Sequence, residues 1–410
     1  MSPDLRAPVL DRAGWPGVTP CDEIDERMSA ALTLVHPDRG AFSRTPVLLL
    51  DPSVAVAAQE KLQALLGVDV LYAVKANPHP ALLRALAAAE CGFDVASLPE
   101  VHLALAAGAD PSRLSFGHPV KPRAAVAAAY EQGVRVFAAD SPAEIDKIAA
   151  SAPGSQAAIR LTVAQDGADW PLAFKYGTAG DEALALVERA ARAGLAPCGV
   201  TFHVGSQQRL AVRFGQAVEV AVSLAWRAEA VGLPFASVNL GGGWPARLTA
   251  DDPAVEQAAA AALDAARSLP PGVALLCEPG RHLAAPAGVL VASVISTVDR
   301  ADGRWAYLDA GIFNGLIEAE AEIVRYPLAT TAHGPLVPTV LAGPTCDSAD
   351  ILYRETRPLL PASLGEDDLV AFGGAGAYTT SYASVGFNGF APLETEVVSF
   401  AGSSSTLPIA

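Results

Sequence analysis

The sequence predicts an α/β fold, a TIM (β/α)8 barrel followed by a second, mainly β domain. From about Thr45 onward, short apolar runs alternate with alanine-rich helical runs, and eight strand–helix units follow a lead-in strand, Pro46 to Asp51. After Ala285 the pattern changes to valine-rich strands separated by turns, as in Val289 to Ser296, Trp305 to Gly311 and Leu369 to Tyr378. A chain of 410 residues, 51% hydrophobic and 18% charged, supplies enough core for one barrel and an addition. The expected divisions are an N-terminal segment at 1–44, too short for a domain and expected on the surface of one of the others, the barrel at 45–285, and the β domain at 286–410.

Charge and composition exclude several partners. A net charge of −16 makes nucleic acid an unsuitable ligand. The first residues mix charges with prolines and hold no apolar run of signal-peptide or membrane-spanning length, which points to a cytoplasmic protein without membrane attachment. The five cysteines, Cys21, Cys91, Cys198, Cys277 and Cys346, are odd in number and lack metal-type spacing, so they read as thiols in a reducing compartment with no metal site.

In chain order, the expected barrel strands are Leu71–Asn77, Gly92–Ser97, Leu114–His118, Val134–Asp140, Ala158–Val163, Gly199–Ser206, Ser237–Gly243 and Ala274–Arg281. The first runs into Lys75 and is stopped by Asn77, Pro78 and Pro80. Ser97-Leu98-Pro99-Glu100 and Ser141-Pro142-Ala143-Glu144 read as capping boxes that open the helices after the second and fourth strands.

Function in such a barrel is read from the C-terminal ends of its strands. Lys75, Asp94, His118, Arg160, His203, Ser206, Gly241, Gly242, Gly243, Glu278 and Arg281 all stand at strand ends or just beyond them. Any one could be a satisfied buried polar group, and Lys75 alone could lay its stem along the strand with its ammonium in water. Together, an imine-forming lysine, a glycine-rich loop open to a phosphate, an arginine and a carboxylate describe a pyridoxal phosphate site.

The chain resembles the fold-type III, pyridoxal-phosphate-dependent decarboxylases of basic amino acids from about Thr45 to Phe400. The motifs that carry the resemblance are YAVKANPHP, GFDVAS with Glu100 behind it, FHVGSQ, LGGGWP, CEPGR, GPTCDSAD, GAYTTSYAS and FNGF. The CEPGR and GPTCD segments place it nearest the ornithine/lysine branch. The resemblance implies that Lys75 is the Schiff-base lysine, that His203 lies against the cofactor ring, and that Glu278 pairs with the ring nitrogen. It implies that Gly241, Gly242, Gly243, Ser206, Arg281 and Tyr378 hold the phosphate, with Gly280 beside them, and that Asp94, Arg160 and Glu100 line the site. Glu100 is equally explained by its capping box.

Cys346 sits in a polar, turn-like segment, unlike Cys91, Cys198 and Cys277, which read as small buried hydrophobes. By resemblance it protonates the substrate α-carbon from a second subunit, and Asp347 receives the distal amine. Lys175 then pairs with Asp350 across a homodimer. Phe390, Glu320 and Glu322 are the remaining substrate-side candidates. Ala321 stands where the branch carries an aspartate, and its acidic neighbours could restore the contact after a shift of one residue. The expected activity is decarboxylation of ornithine or lysine. The alternatives are a decarboxylase or racemase of a modified or carrier-bound amino acid, which Glu278 disfavours for racemisation, and a non-catalytic regulatory homologue.

Overall fold

Eight parallel strands close into a barrel: Asp69–Ala73, Gly92–Val95, Leu114–Phe116, Val136–Ala139, Gln156–Arg160, Ala196–Thr201, Ser237–Asn239 and Ala274–Cys277. Each pairs with the next in sequence and the last with the first. The computed structural model describes residues 13–16, 19–36, 40–172 and 175–400. It divides the chain into a barrel unit, Pro52–Arg247 with Asp252–Ala284, and a β unit, Met1–Asp51 with Leu248–Asp251 and Ala285–Ala410.

On the face of the barrel strands opposite Asp94 and Arg160, Tyr72, Phe93, Phe116 and Phe137 are fully buried, with Tyr72 edge-on to Phe93 at 6.4 Å and Phe116 against Phe137 at 6.1 Å. Truncating one of these to alanine costs about 3–5 kcal/mol, because the layer cannot collapse into the space. Several strands stop short of their expected ends, at Ala73, Thr201, Asn239 and Cys277. The residues beyond leave the ladder for the loops of the C-terminal face, which frees Lys75, His203, Gly241 and Glu278 from strand geometry.

At Ser97 the hydroxyl accepts the Glu100 N–H as expected, and the Glu100 carboxylate reaches back to the N–H of Ala96, one residue before the cap. At Ser141 only half the capping box forms. Ser141 accepts the Glu144 N–H at 3.4 Å, but the Glu144 carboxylate is drawn away to Lys121 Nζ at 3.0 Å and Lys147 Nζ at 2.5 Å. Lys121 is buried, and its ammonium also donates to the carbonyls of His118 and Ala138 at 2.8 and 2.6 Å. Burying that ammonium demands a carboxylate, and Glu144 meets the demand ahead of the weaker cap.

The lead-in strand belongs to the β unit, which corrects the expected boundary at residue 45. Val47–Leu50 runs antiparallel to Gly288–Val291 and parallel to Glu394–Val397 within a nine-stranded sheet. A strand buried on every residue needs partners on both edges, and those edges are supplied here rather than in the closed barrel. Nor is the described part of the segment before residue 45 a surface attachment. Helix Asp22–Val35 sinks Ile24, Met28 and Ala31 into the β unit, and Trp15 packs edge-on to Tyr353 at 4.4 Å while its indole N–H donates to the Tyr326 carbonyl. Among the described residues, no helix is long and apolar enough to cross a membrane, and no His, Cys, Asp and Glu cluster could hold a metal ion.

Candidate active site

Lys75 lies in a single 3-10 turn, Val74–Ala76, directly after the first barrel strand. Tyr72 holds the turn by donating its hydroxyl to the Asn77 carbonyl at 3.1 Å, and Asn77 Oδ1 accepts the His79 N–H at 3.0 Å. His79 then caps helix Pro80–Ala88 through Nδ1. The sequence LYAVKANPHP thus turns a buried strand outward at one residue, leaving Lys75 exposed between buried Val74 and Ala76.

Three charged groups from three strand ends, and Glu100 from the helix after the second strand, converge with it. Asp94 and Glu278 are both buried, and burial raises the carboxyl pKa of each, Glu278 to about 8. The charges of Lys75 and Arg160 pull the other way on both. Burial likewise lowers the pKa of Arg160, against the attraction of Glu278 and Asp94. Glu100 faces the same cluster, raised by burial and by Asp94, while its Oε2 accepts the Ala96 N–H at 2.6 Å. Both expected roles of Glu100, cap and site wall, are geometrically open to it. Asp94 Oδ1 is buried without a hydrogen-bond partner, an arrangement that calls for a donor from a ligand.

His203 is held neutral by burial, reinforced by the charges of Lys75 and Arg160. Its Nδ1 accepts the Gly205 N–H at 3.0 Å, so the ring proton sits on Nε2. The glycine loop presses against it. A Cβ on Gly242 would lie 2.8 Å from His203 Nε2, and one on Gly241, at φ +63°, would lie 1.6 Å from the Phe202 carbonyl oxygen. Only bare backbone fits, which leaves a cradle of amides rather than side chains. Beside it the Arg281 Nε–H donates to Ser206 Oγ at 3.2 Å, fixing a guanidinium that is itself buried. This set fits pyridoxal phosphate: an amine, a buried carboxylate, an orphaned acceptor, and a phosphate cradle beside a fixed arginine.

The remaining candidates lie in the β unit. Cys346 and Asp347 are exposed in the loop 343–350, and Asp347 Oδ1 is used by the Ala349 N–H at 2.9 Å. Asp350 is buried and accepts from Ile312 N–H, Thr345 N–H and Thr345 Oγ at 2.9, 3.0 and 2.7 Å. Tyr378 adopts φ +58° and is half-buried, while Phe390 is exposed. The Glu322 carboxylate accepts the N–H groups of Glu355 at 2.7 Å and Thr356 at 3.0 Å. Glu320 and Ala321 are exposed, and Ala321 is left-handed at φ +49°. Of the thiols expected to be buried, Cys91 and Cys277 are, whereas Cys198 is partly exposed.

Three residues went unread in the sequence. Asn239 donates to Glu278 at 2.5 Å, Gln165 donates to the His203 carbonyl at 2.8 Å, and Tyr176 meets His118 Nε2 at 3.1 Å. Asn239 alone carried a signal, because it is the last polar residue before LGGG, at a strand end on the site's face.

Residues 53–285 match the family model described as pyridoxal-dependent decarboxylase, pyridoxal binding domain. The chain is 36% identical over 325 residues to the lysine/ornithine decarboxylase of Selenomonas ruminantium, spanning 78% of this chain and 81% of that one. It superposes on the Vibrio vulnificus lysine/ornithine decarboxylase complexed with cadaverine with a TM-score of 0.79, at 33% identity over 86% of this chain and 94% of that one. The Paramecium bursaria Chlorella virus arginine decarboxylase bound to agmatine gives a TM-score of 0.81 at 26% identity, over 87% and 98%.

Proposed function

The chain belongs to the pyridoxal-dependent decarboxylases, and from that premise we propose which of its residues perform the decarboxylation of a basic amino acid. The observation that carries the reading is the buried Glu278 carboxylate, facing Lys75, Arg160 and Asp94 at the mouth of the barrel. When bound, pyridoxal phosphate supplies an electron sink for the pair released as the α-carboxylate leaves.

Lys75 is the amine that carries the cofactor, since its turn holds it outward from the strand end. Glu278 holds a proton at the pyridine nitrogen, which a buried carboxylate does far better than a neutral group. His203, neutral and fixed through Nδ1, lies against the ring face. The amides of Gly241, Gly242 and Gly243 take the phosphate, with Ser206, Gly280, Arg281 and Tyr378. Arg160 and Asp94 balance charge between the ring and Lys75, and Glu100 closes the wall.

Cys346 and Asp347 complete the site from a second copy of the chain, the thiol delivering a proton to the substrate α-carbon and the carboxylate receiving the distal amine. Exposure of both on one loop supports that reading. The companion pair, Lys175 with Asp350 of a second copy, is limited by the three intrachain bonds Asp350 already accepts, so Lys175 adds charge there rather than building the loop. With Glu322 engaged elsewhere, Asp347 is the acid left for the distal amine, with Phe390 and Glu320 as flanking contacts. Chain-length discrimination between ornithine and lysine is therefore loose. Free thiols at all five cysteines support a reducing, cytoplasmic setting.

Borohydride reduction and peptide mapping test the cofactor's attachment. Attachment to a lysine other than Lys75 would overturn the site. Measurement of kcat/KM for ornithine, lysine, arginine, diaminopimelate and norleucine tests the substrate. A site holding Asp347 rejects norleucine by about 10⁴-fold, and preference for norleucine removes the role given to Asp347.

A further inference from the structure

Asn239 is the last residue of the seventh barrel strand, beside Thr201 on one flank and Leu276 on the other, and only 5% exposed. Its amide makes two bonds of opposite sense. The Gly241 N–H donates to Asn239 Oδ1 at 2.9 Å, and Asn239 Nδ2 donates to Glu278 Oε1 at 2.5 Å. A backbone N–H cannot accept, so the amide cannot be turned round, and only a donor can face Glu278. The loop is closed again by the Glu278 N–H on the Gly241 carbonyl at 2.9 Å.

We propose that Asn239 is a positioning residue: pinned by Gly241, it offers Glu278 an obligatory donor, and so biases the carboxyl toward its ionised form while leaving one oxygen to face the cofactor. The proposal rests on the decarboxylase reading for what Glu278 then does. Its physical need is plain. The other groups facing Glu278 are Asp94, Arg160 and Lys75; burial and Asp94 favour the protonated acid, and the two cations oppose them. Asn239 adds a neutral, directional bond to the ionised side of that balance. A charge-assisted hydrogen bond of this kind contributes more than a neutral one, and it orients as well as stabilises.

The test is a pH titration of the bound cofactor's visible absorbance in holoenzyme carrying Asn239→Asp. That variant keeps the shape and the acceptor for Gly241 but turns the donor into a second carboxylate. The absorbance midpoint and the acid limb of kcat are expected to move up by about one to two pH units. At neutral pH, kcat falls roughly tenfold or more, with KM changed less than about threefold. Asn239→Ala, which introduces no charge, shifts both in the same direction and serves if the aspartate variant does not fold. Variants with lower thermal stability but wild-type midpoints would reduce Asn239 to a structural residue and overturn the proposal. Because the absorbance titration needs no substrate, an Asn239-dependent midpoint in a protein that decarboxylates no amino acid overturns the functional reading alone. Failure of the wild-type chain to bind pyridoxal phosphate overturns both.

Discussion

The side-chain oxygen of Asn388 accepts the backbone N–H of Cys346 at 3.0 Å. Asn388 reaches it from a left-handed conformation, φ +51°, which asparagine tolerates better than most residues. From the inside, Thr345 and Ile312 tie the same loop to Asp350. The backbone of Cys346 is held from two sides while its thiol stays exposed.

Asn388→Ala should therefore slow turnover while barely touching the fold. Losing one exposed hydrogen bond costs about 1 kcal/mol or less of stability, whereas a thiol displaced by an ångström loses up to about 10²-fold in kcat. Asn388→Asp keeps the acceptor and should recover most of the rate. Steady-state kinetics beside thermal melts decide the matter; alanine and aspartate variants of equal kcat would detach Asn388 from the thiol's placement.

Mixing two inactive variants, Lys75→Ala and Cys346→Ala, should restore activity. Random exchange of subunits gives about half heterodimers, each with one site holding both residues, so recovery approaches a quarter of wild type. Activity assays after verified exchange measure it, and no recovery places both residues in the same chain's site or Cys346 outside any site.

The stability of the cofactor-free protein should fall with pH through the neutral range. Burial holds the Glu278 carboxyl at about 8 in the folded chain, against an ordinary value of 4.5. Between those values the folded state keeps a proton that the unfolded state has released. Stability is thus greatest near the ordinary value and is lost as pH rises toward the folded one. Glu278→Gln should flatten the dependence and be the more stable protein at pH 8. Melting temperatures of both apoproteins from pH 5 to 8 provide the comparison; parallel curves would mean Glu278 ionises normally.

Glu322→Ala should cost stability and leave specificity alone. Removing its carboxylate leaves the exposed Glu355 N–H to water and the part-buried Thr356 N–H without its acceptor, at about 1 kcal/mol. The ratio of kcat/KM for ornithine and lysine should stay within twofold of wild type. A larger change would return Glu322 to the substrate pocket.

The barrel was legible because its signals are local and repeated. Apolar runs of strand length, proline at helix starts and serine caps at 97 and 141 each act within a few residues. The strand-end positions of Lys75 and Glu278 were legible for the same reason, since an ionisable group at the end of an apolar run is conspicuous. Asn239 was not, because an asparagine at a strand end is ordinary until its partner 39 residues on is known. The lead-in strand was misassigned because four apolar residues, Val47–Leu50, suit either sheet equally. What decided between them was pairing with residues 288–291 and 394–397, far beyond any local window.

That long-range pairing sets an order of events during synthesis. Domains tend to fold as units while the chain emerges, N-terminal parts first. Here strand Val47–Leu50 leaves the ribosome before the barrel but meets both partners only after it. The barrel residues can complete their closed sheet while the earlier strand, buried on all four residues in the finished protein, still waits unpaired. A bare apolar strand of that kind is the segment on which a holding chaperone would act, and the one whose exposure would make truncated chains aggregate.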